Sequence, residues 1–277
     1  MDNIDHANIV KKLERLSEFI RNFSGKGVIV AFSGGVDSST LAALCSKELD
    51  KVIAVTAISP VSPKREIKEA ERIAKEIGIH HTFINVNELE DPDFVKNTPD
   101  RCYYCKTNLI KSLLNFGKER GYSVIFEGTN VDELKGHRPG YKAVKGFENV
   151  FSPWAEFGFT KEEIRRIAKK MGLSFYNKPP LACLASRIPF GIKIDERKLR
   201  MVDEAENTIL KIVQVNQIRV RNLNNVAVIE VEKDEIKKFF DEKIVNEIVE
   251  RLKEIGFKQV LLDLEGYVSG KLSSLTM

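Results

Sequence analysis

Short apolar runs alternate with stretches of helical period through the first two thirds of the chain. Ile9, Leu13, Leu16, Phe19 and Ile20 fall on one face of a helix over Asn8 to Phe23. Val28 to Phe32 is an apolar run that breaks at Ser33-Gly34-Gly35 and continues into helix-forming residues to Cys45, which predicts strand, tight loop, helix. Val52 to Ala57 is a second buried strand, closed by the turn residues Pro60 to Pro63. Lys64 to Ile77 presents Ile67, Ala70, Ile73 and Ala74 on one helical face and stops at Gly78. His81 to Val86 predicts a strand, Thr107 to Gly121 a helix, and Val124 to Thr129 a strand with a polar end. Lys161 to Met171 predicts a helix with Thr160 and Glu163 as its capping box. Such a rhythm predicts an α/β fold with a doubly wound, mostly parallel sheet. Ligands then bind beyond the carboxyl ends of the strands, on a rim shared by the Ser33 loop, Ser59 to Ser62 and Gly128 to Asn130.

The texture changes from Ile192. Glu196 to Ile212 and Asp234 to Ile255 read as helices, and Gln217 to Arg221, Val226 to Val231 and Lys258 to Leu264 as strands, a small C-terminal α+β domain. A chain of 277 residues is long for one domain, so the boundary is set between 1–191 and 192–277. Hydrophobic residues make up 43% and charged ones 30%, the mixture of a globular protein. The net charge of +4 is too mild to argue for a nucleic-acid partner. No apolar run reaches membrane-spanning length, and Met1 to Asn8 lacks the pattern of a signal peptide, so a cytoplasmic protein is expected. Four cysteines, two of them in a C-x-x-C, suit metal or redox work in a reducing compartment.

The glycines at Gly34 and Gly35 let backbone approach a ligand, and the loop N–H groups converge ahead of a helix start, which is phosphate-binding chemistry. In Asp100 to Lys106 the pair Cys102 and Cys105 can share a metal or form a redox couple. Cys183 lies in an irregular, proline-flanked segment near Arg187, which favours its thiolate, whereas Cys45 follows apolar residues and reads as core. With Cys102 and Cys105 it could hold three irons of a 4Fe-4S cluster, or act alone as a reactive thiol; spacing leaves both open. The loop from Glu127 to Gly140 carries Asp132, Glu133, Lys135 and Arg138, groups able to meet Mg²⁺ and phosphate. Arg219 and Arg221 alternate on one strand face, where a phosphate, or Glu204, Glu206 or Glu230, would relieve their repulsion.

The string Ser33-Gly34-Gly35-Val36-Asp37-Ser38-Ser39 resembles the pyrophosphatase loop of the PP-loop ATP pyrophosphatases, and no Walker A loop occurs. Together with Arg101 to Lys106, Gly128 to Gly140, Ser152 to Glu156, Cys183 to Gly191 and Asp263 to Gly270, it makes the chain similar, nearly end to end, to the ATP-dependent sulfur transferases of nickel-pincer cofactor biosynthesis. The resemblance implies an adenine-nucleotide alpha hydrolase-like domain. It also implies a reaction in which ATP adenylates a carboxylate of a pyridinium dicarboxylate mononucleotide and sulfur displaces AMP, leaving a thiocarboxylate.

By the same resemblance, Ser33, Gly34, Gly35, Val36, Ser38, Ser39 and Gly128 would cradle the ATP phosphates, Asp37 would bind Mg²⁺ or orient the loop, and Lys135 or Arg138 would neutralise the α phosphate. Arg219 and Arg221, with Arg187, would hold the substrate phosphate, and an acidic residue between Asp203 and Glu206 would assist a metal. Cys183 maps onto the sulfur carrier. Members lacking the C-x-x-C sacrifice that cysteine and keep dehydroalanine, whereas those with both cysteines resemble enzymes with a 4Fe-4S cluster. This chain has both, so Cys102, Cys105 and Cys183 are expected to hold a cluster, with sacrifice of the Cys183 sulfur as the alternative. A homo-oligomer built through the C-terminal domain is a further expectation. The rivals are an ammonia-using or tRNA-thiolating PP-loop ligase, of which the first has no need of Cys183 and the second calls for a basic stripe, and a non-catalytic ATP sensor.

Overall fold

A computed structural model describes residues 2–135, 138–180 and 182–268, with side chains from residue 7 onward. Gly136, His137 and Leu181, and the motif end Ser269-Gly270, lie outside them. In chain order the elements are α1 (Asp2–Arg21), β1 (Val28–Ala31), α2 (Val36–Glu48), β2 (Val52–Ile58), α3 (Lys64–Ile77), β3 (His81–Asn85), α4 (Pro92–Val95), α5 (Arg101–Arg120), β4 (Val124–Phe126), α6 (Pro139–Lys145), β5 (Val150–Phe151), α7 (Pro153–Glu156), α8 (Lys161–Lys170), α9 (Glu196–Ile212), β6 (Ile218–Leu223), β7 (Val226–Val231), α10 (Glu242–Ile255) and β8 (Gln259–Leu262). Two compact units result. One comprises Met1–Ser59, Lys64–Val86 and Cys102–Pro180, and the other Pro60–Pro63, Asn87–Arg101 and Leu181–Met277.

The first unit is built on a five-stranded sheet in the order β3-β2-β1-β4-β5, parallel throughout. Successive strand residues point to opposite faces, so each strand must be apolar on both if helices cover both. Val28, Val30 and Phe126 join Leu41, Ile73 and Ile164 of α2, α3 and α8 in one core cluster. Ile29, Val55 and Ile125 join Ile110 and Leu113 of α5 and Val144 of α6 in another. This is the expected doubly wound arrangement. Strand order reverses between β1 and β4, and a ligand crevice opens beyond the carboxyl ends of strands at such a reversal.

The second unit carries a three-stranded sheet in the order β6-β7-β8, antiparallel then parallel. Asn224 and Asn225 turn the hairpin at φ 53° and 69°, the left-handed region that asparagine tolerates best after glycine. Ile218, Val220 and Ile229 pack against Ala205 and Ile209 of α9 and Leu252 of α10. Asp234 to Ile255 is not one helix. Lys233–Phe239 is 3₁₀, and α10 restarts behind Asp241, whose carboxylate accepts the N–H groups of Lys243 at 2.9 Å and Ile244 at 3.2 Å. An aspartate can cap a new helix by the bond that unseats it from a helix interior.

Candidate active site

The loop between β1 and α2 folds on its own hydroxyls. Ser38 Oγ accepts the Ser33 N–H at 3.2 Å and donates to the Gly35 carbonyl at 3.2 Å, while Ser33 Oγ accepts the Gly35 N–H at 3.3 Å. Gly34 sits at φ 69°, and a Cβ there would lie 2.8 Å from Ala70 Cα, so both conformation and space demand glycine. Gly35 is the N-cap of α2 and provides no side-chain cap. The first turn of a 13-residue helix therefore presents N–H groups without a side-chain acceptor, with the positive end of its dipole behind them. Ser39 is 0% exposed and its hydroxyl has no partner. Gly128 closes the rim from β4, where a Cβ would meet Ser38 N at 2.9 Å. Uncapped N–H groups, a stranded hydroxyl and two close backbone approaches form a cradle for an anion.

Asp37 heads that turn, and its carboxylate pairs with Lys161 Nζ and accepts from Asn130 Nδ2 at 3.3 Å. Its carbonyl accepts the Trp154 indole N–H at 3.0 Å, which gives the Ser152 to Glu156 motif a place behind the loop. Lys178 Nζ donates to the Gly34 carbonyl at 3.1 Å and pairs with Glu66 at 3.1 Å. Crowded surroundings, and next the charge of Asp37, push the Glu133 carboxyl above its usual range. Asp37 and Glu133 are carboxylates of the kind Mg²⁺ takes, one or two at a time, completing its shell with phosphate and water. Lys135 is exposed and pairs with Asp132 at 2.8 Å, and Arg138 is exposed at the N-cap of α6.

At the end of β4, Glu127 is 4% exposed and accepts from Lys106 Nζ and Thr129 Oγ1, both at 2.8 Å, and from Ser152 Oγ. Burial opposes ionisation of both Glu127 and Lys106, but their mutual attraction wins, so the carboxyl lies below and the amine above its ordinary value. The depressed carboxyl adds stability at neutral pH that is lost as pH falls through the carboxylate range; the raised amine adds stability that is lost only in strong alkali. Lys106→Met should lower the melting temperature at about pH 7 and flatten the decline of melting temperature between about pH 6 and pH 3, read by circular dichroism. An unchanged acid profile would show that Glu127 is not the group whose ionisation sets acid stability.

Cys102 and Cys105 stand on the first turns of α5, which starts ahead of the predicted Thr107 because nothing in Arg-Cys-Tyr-Tyr-Cys-Lys stops a helix. At three residues apart they share one helix face, Cys102 exposed and Cys105 half-buried. That pair fits two thiolate ligands. Among the described residues no three His, Cys, Asp or Glu side chains form a metal-ligand group. Cys45 is core, and burial pushes its thiol far up.

In the second unit Cys183 is half-buried and precedes a 3₁₀ turn, Leu184–Arg187. Arg187 is 0% exposed and paired with Glu206 at 2.8 Å. Arg221 reaches Glu230 at 3.0 and 2.6 Å and donates to the Ser186 carbonyl at 2.8 Å. Arg219 donates to the Ile218 carbonyl at 2.8 Å, with its guanidinium 5.5 Å from the Tyr267 ring centroid.

Residues 8–109 match the NAD synthase family model. An uncharacterized protein of Synechocystis is 38% identical over 264 residues, 94% of this chain and 98% of that one. A second uncharacterized protein, from Methanocaldococcus jannaschii, is 34% identical over 261 residues, again 94% and 98% of the two chains. The pyridinium-3,5-bisthiocarboxylic acid mononucleotide synthase of Lactiplantibacillus plantarum is 31% identical over 249 residues, covering 89% of this chain and 88% of that one. This chain belongs to the pyridinium-3,5-bisthiocarboxylic acid mononucleotide synthase family.

Membership makes it an ATP-utilising enzyme on a PP-loop domain. Within the first unit the structure gathers Ser33, Gly34, Gly35, Val36, Asp37, Ser38, Ser39 and Gly128; within the second it gathers Cys183, Arg187 and Arg221. Sequence reasoning passed over Lys161 and Lys178. Each touches the loop from more than 120 residues away in the chain, and neither stands in a pattern of its own. No helix among the described residues is long and apolar enough to cross a membrane.

Proposed function

We propose that the enzyme adenylates a carboxylate of a pyridinium dicarboxylate mononucleotide and replaces the activated oxygen with sulfur. The carboxylate oxygen attacks the α phosphorus of ATP and the bond to pyrophosphate breaks. A thiolate then attacks the acyl carbon, and the bond to the AMP oxygen breaks, giving a thiocarboxylate or its thioester precursor. The observation that carries this reading is the start of α2, where Gly35 leaves the first N–H groups without a side-chain cap behind a loop that requires glycine at Gly34. The Lactiplantibacillus relative, a pyridinium-3,5-bisthiocarboxylic acid mononucleotide synthase, supports the choice of acceptor.

Loop N–H groups and the hydroxyls of Ser33, Ser38 and Ser39 receive the departing pyrophosphate. Asp37 and Glu133 would hold Mg²⁺, which supplies positive charge to the phosphate oxygens. Lys135 and Arg138 serve the α phosphate, and Arg219 the phosphate of the substrate, while the fork of Arg221 is taken by Glu230. Cys183 is the sulfur carrier. If its sulfur is given up, a base takes the Cα proton of the Cys183 thioester, a Cα–Cβ double bond forms and the Cβ–S bond breaks, leaving dehydroalanine. The pairing of Cys102 with Cys105 on one helix face favours a second reading, in which they and Cys183 hold a 4Fe-4S cluster.

Asp37→Asn should reduce pyrophosphate release on the order of 10²-fold and raise the Mg²⁺ concentration needed for half-maximal rate. A rate equal to wild type at all Mg²⁺ concentrations would exclude Asp37 from metal binding. Anaerobic protein assayed for iron and sulfide, with mass spectrometry after one turnover, separates the sulfur readings. Bound iron lost in Cys102→Ala supports the cluster, and a loss of about 34 Da at Cys183 in iron-free protein supports sacrifice.

A further inference from the structure

The side chains of Arg187 and Glu206 are 1% and 0% exposed, and burying two charges is costly unless every bond they make is well placed. Glu206 accepts from Arg187 Nε at 2.8 Å and Nη2 at 3.1 Å, and its Oε1 also accepts the Val220 N–H of β6 at 3.2 Å. The remaining nitrogen of Arg187, Nη1, donates to the carbonyls of Ala182 at 2.8 Å and Cys183 at 3.0 Å and to Ser186 Oγ at 3.0 Å. The Cys183 carbonyl in addition accepts the Ser186 N–H at 3.0 Å and hydroxyl at 2.8 Å. A relay thus runs from the backbone of β6 through Glu206 and Arg187 to the peptide of Cys183.

The rest of the segment is fixed independently. Leu184 N–H donates to the Val61 carbonyl at 2.8 Å, and Asn97 Nδ2 donates to the carbonyls of Pro189 at 2.7 Å and Ile192 at 2.9 Å. What Arg187 and Glu206 add is control of the one peptide that carries the half-buried thiol. A guanidinium with no exposed surface and a carboxylate across its fork is badly placed to take a phosphate from solvent.

We propose that Arg187 and Glu206 are a positioning pair that fixes the backbone at Cys183 and so the line of attack of its sulfur, with Arg187 serving the loop in place of the substrate phosphate. The role in transfer rests on the sulfur-transferase reading above. A planar fork is needed to reach a carboxylate and two carbonyls together, so lysine cannot replace arginine.

The test uses the full chain. In Arg187→Lys, first-turnover pyrophosphate release from ATP and the pyridinium dicarboxylate mononucleotide should stay within about twofold of wild type, while thiocarboxylate formation falls on the order of 10²-fold. Iodoacetamide labelling of Cys183, followed on its own peptide with Cys102 as reference, should speed up several-fold. The double variant Arg187→Met with Glu206→Leu removes both charges and should keep a cooperative melt, yet stay defective in transfer and fast in labelling. Wild-type labelling in Arg187→Lys, or wild-type transfer in the double variant, overturns the proposal. If the wild-type chain forms no thiocarboxylate, the functional reading fails, and the labelling comparison alone decides whether the pair positions Cys183.

Discussion

Cys183→Ala is expected to lower thiocarboxylate formation by roughly 10³-fold or more while leaving first-turnover pyrophosphate release within about twofold of wild type. In the proposed reaction, activation and sulfur delivery use different atoms. There the uncapped turn of α2, the Ser39 hydroxyl and Asp37 would act on phosphate, and none of them depends on a thiol. A sulfur nucleophile is required only after AMP has been installed. Rapid quenching, with pyrophosphate and thiocarboxylate measured on the same samples, resolves the two steps. Equal loss of both products would show that Cys183 acts before adenylation and would sink its role as carrier. Full retention of both would move the sulfur source elsewhere, with Cys102 and Cys105 the next thiols to test.

The second large effect is on stability. Arg221→Met should destabilise the protein by about 3–5 kcal/mol, because it leaves Glu230, 3% exposed, as a buried carboxylate without its cation. Arg221 also donates to the Ser186 carbonyl, so the loss reaches the segment that follows Cys183. Urea denaturation of wild type, Arg221→Met and the double variant Arg221→Met with Glu230→Leu provides the comparison. The double variant is expected to recover most of the loss, since a buried pair replaced by apolar residues of similar volume is often no less stable. A single variant within about 0.5 kcal/mol of wild type would show that the pair is not what holds this sheet face.

The first unit was legible because its information is local. Val28–Ala31 and Val124–Phe126 are continuous apolar runs, α3 and α8 each bury one face at helical spacing, and Thr160 with Glu163 writes its own cap. The loop was legible because glycine at Gly34 is dictated by a positive φ and by Ala70 close behind it. Long-range partnerships were not. Lys161 meets Asp37 across 124 residues and Lys178 meets the Gly34 carbonyl across 144, and charge patterns along a helix do not say which distant group a lysine will reach. The grouping of Asn87–Arg101 with the second unit depends on Asn97, whose amide gathers carbonyls more than 90 residues away. Arg187 shows the same limit: its neighbourhood in sequence suggested anion chemistry, while its burial sets it on Glu206 and the Cys183 peptide.

Trp154 is the one tryptophan in the chain, fully buried, and its indole N–H is bonded to the Asp37 carbonyl. Emission excited selectively from tryptophan therefore comes from a single fluorophore attached to the nucleotide loop. Docking of a triphosphate that shifts the first turn of α2 alters the polarity at that N–H and with it the emission maximum. The enzyme carries its own optical probe of the loop, and a titration with ATP can be followed without a label or a substrate.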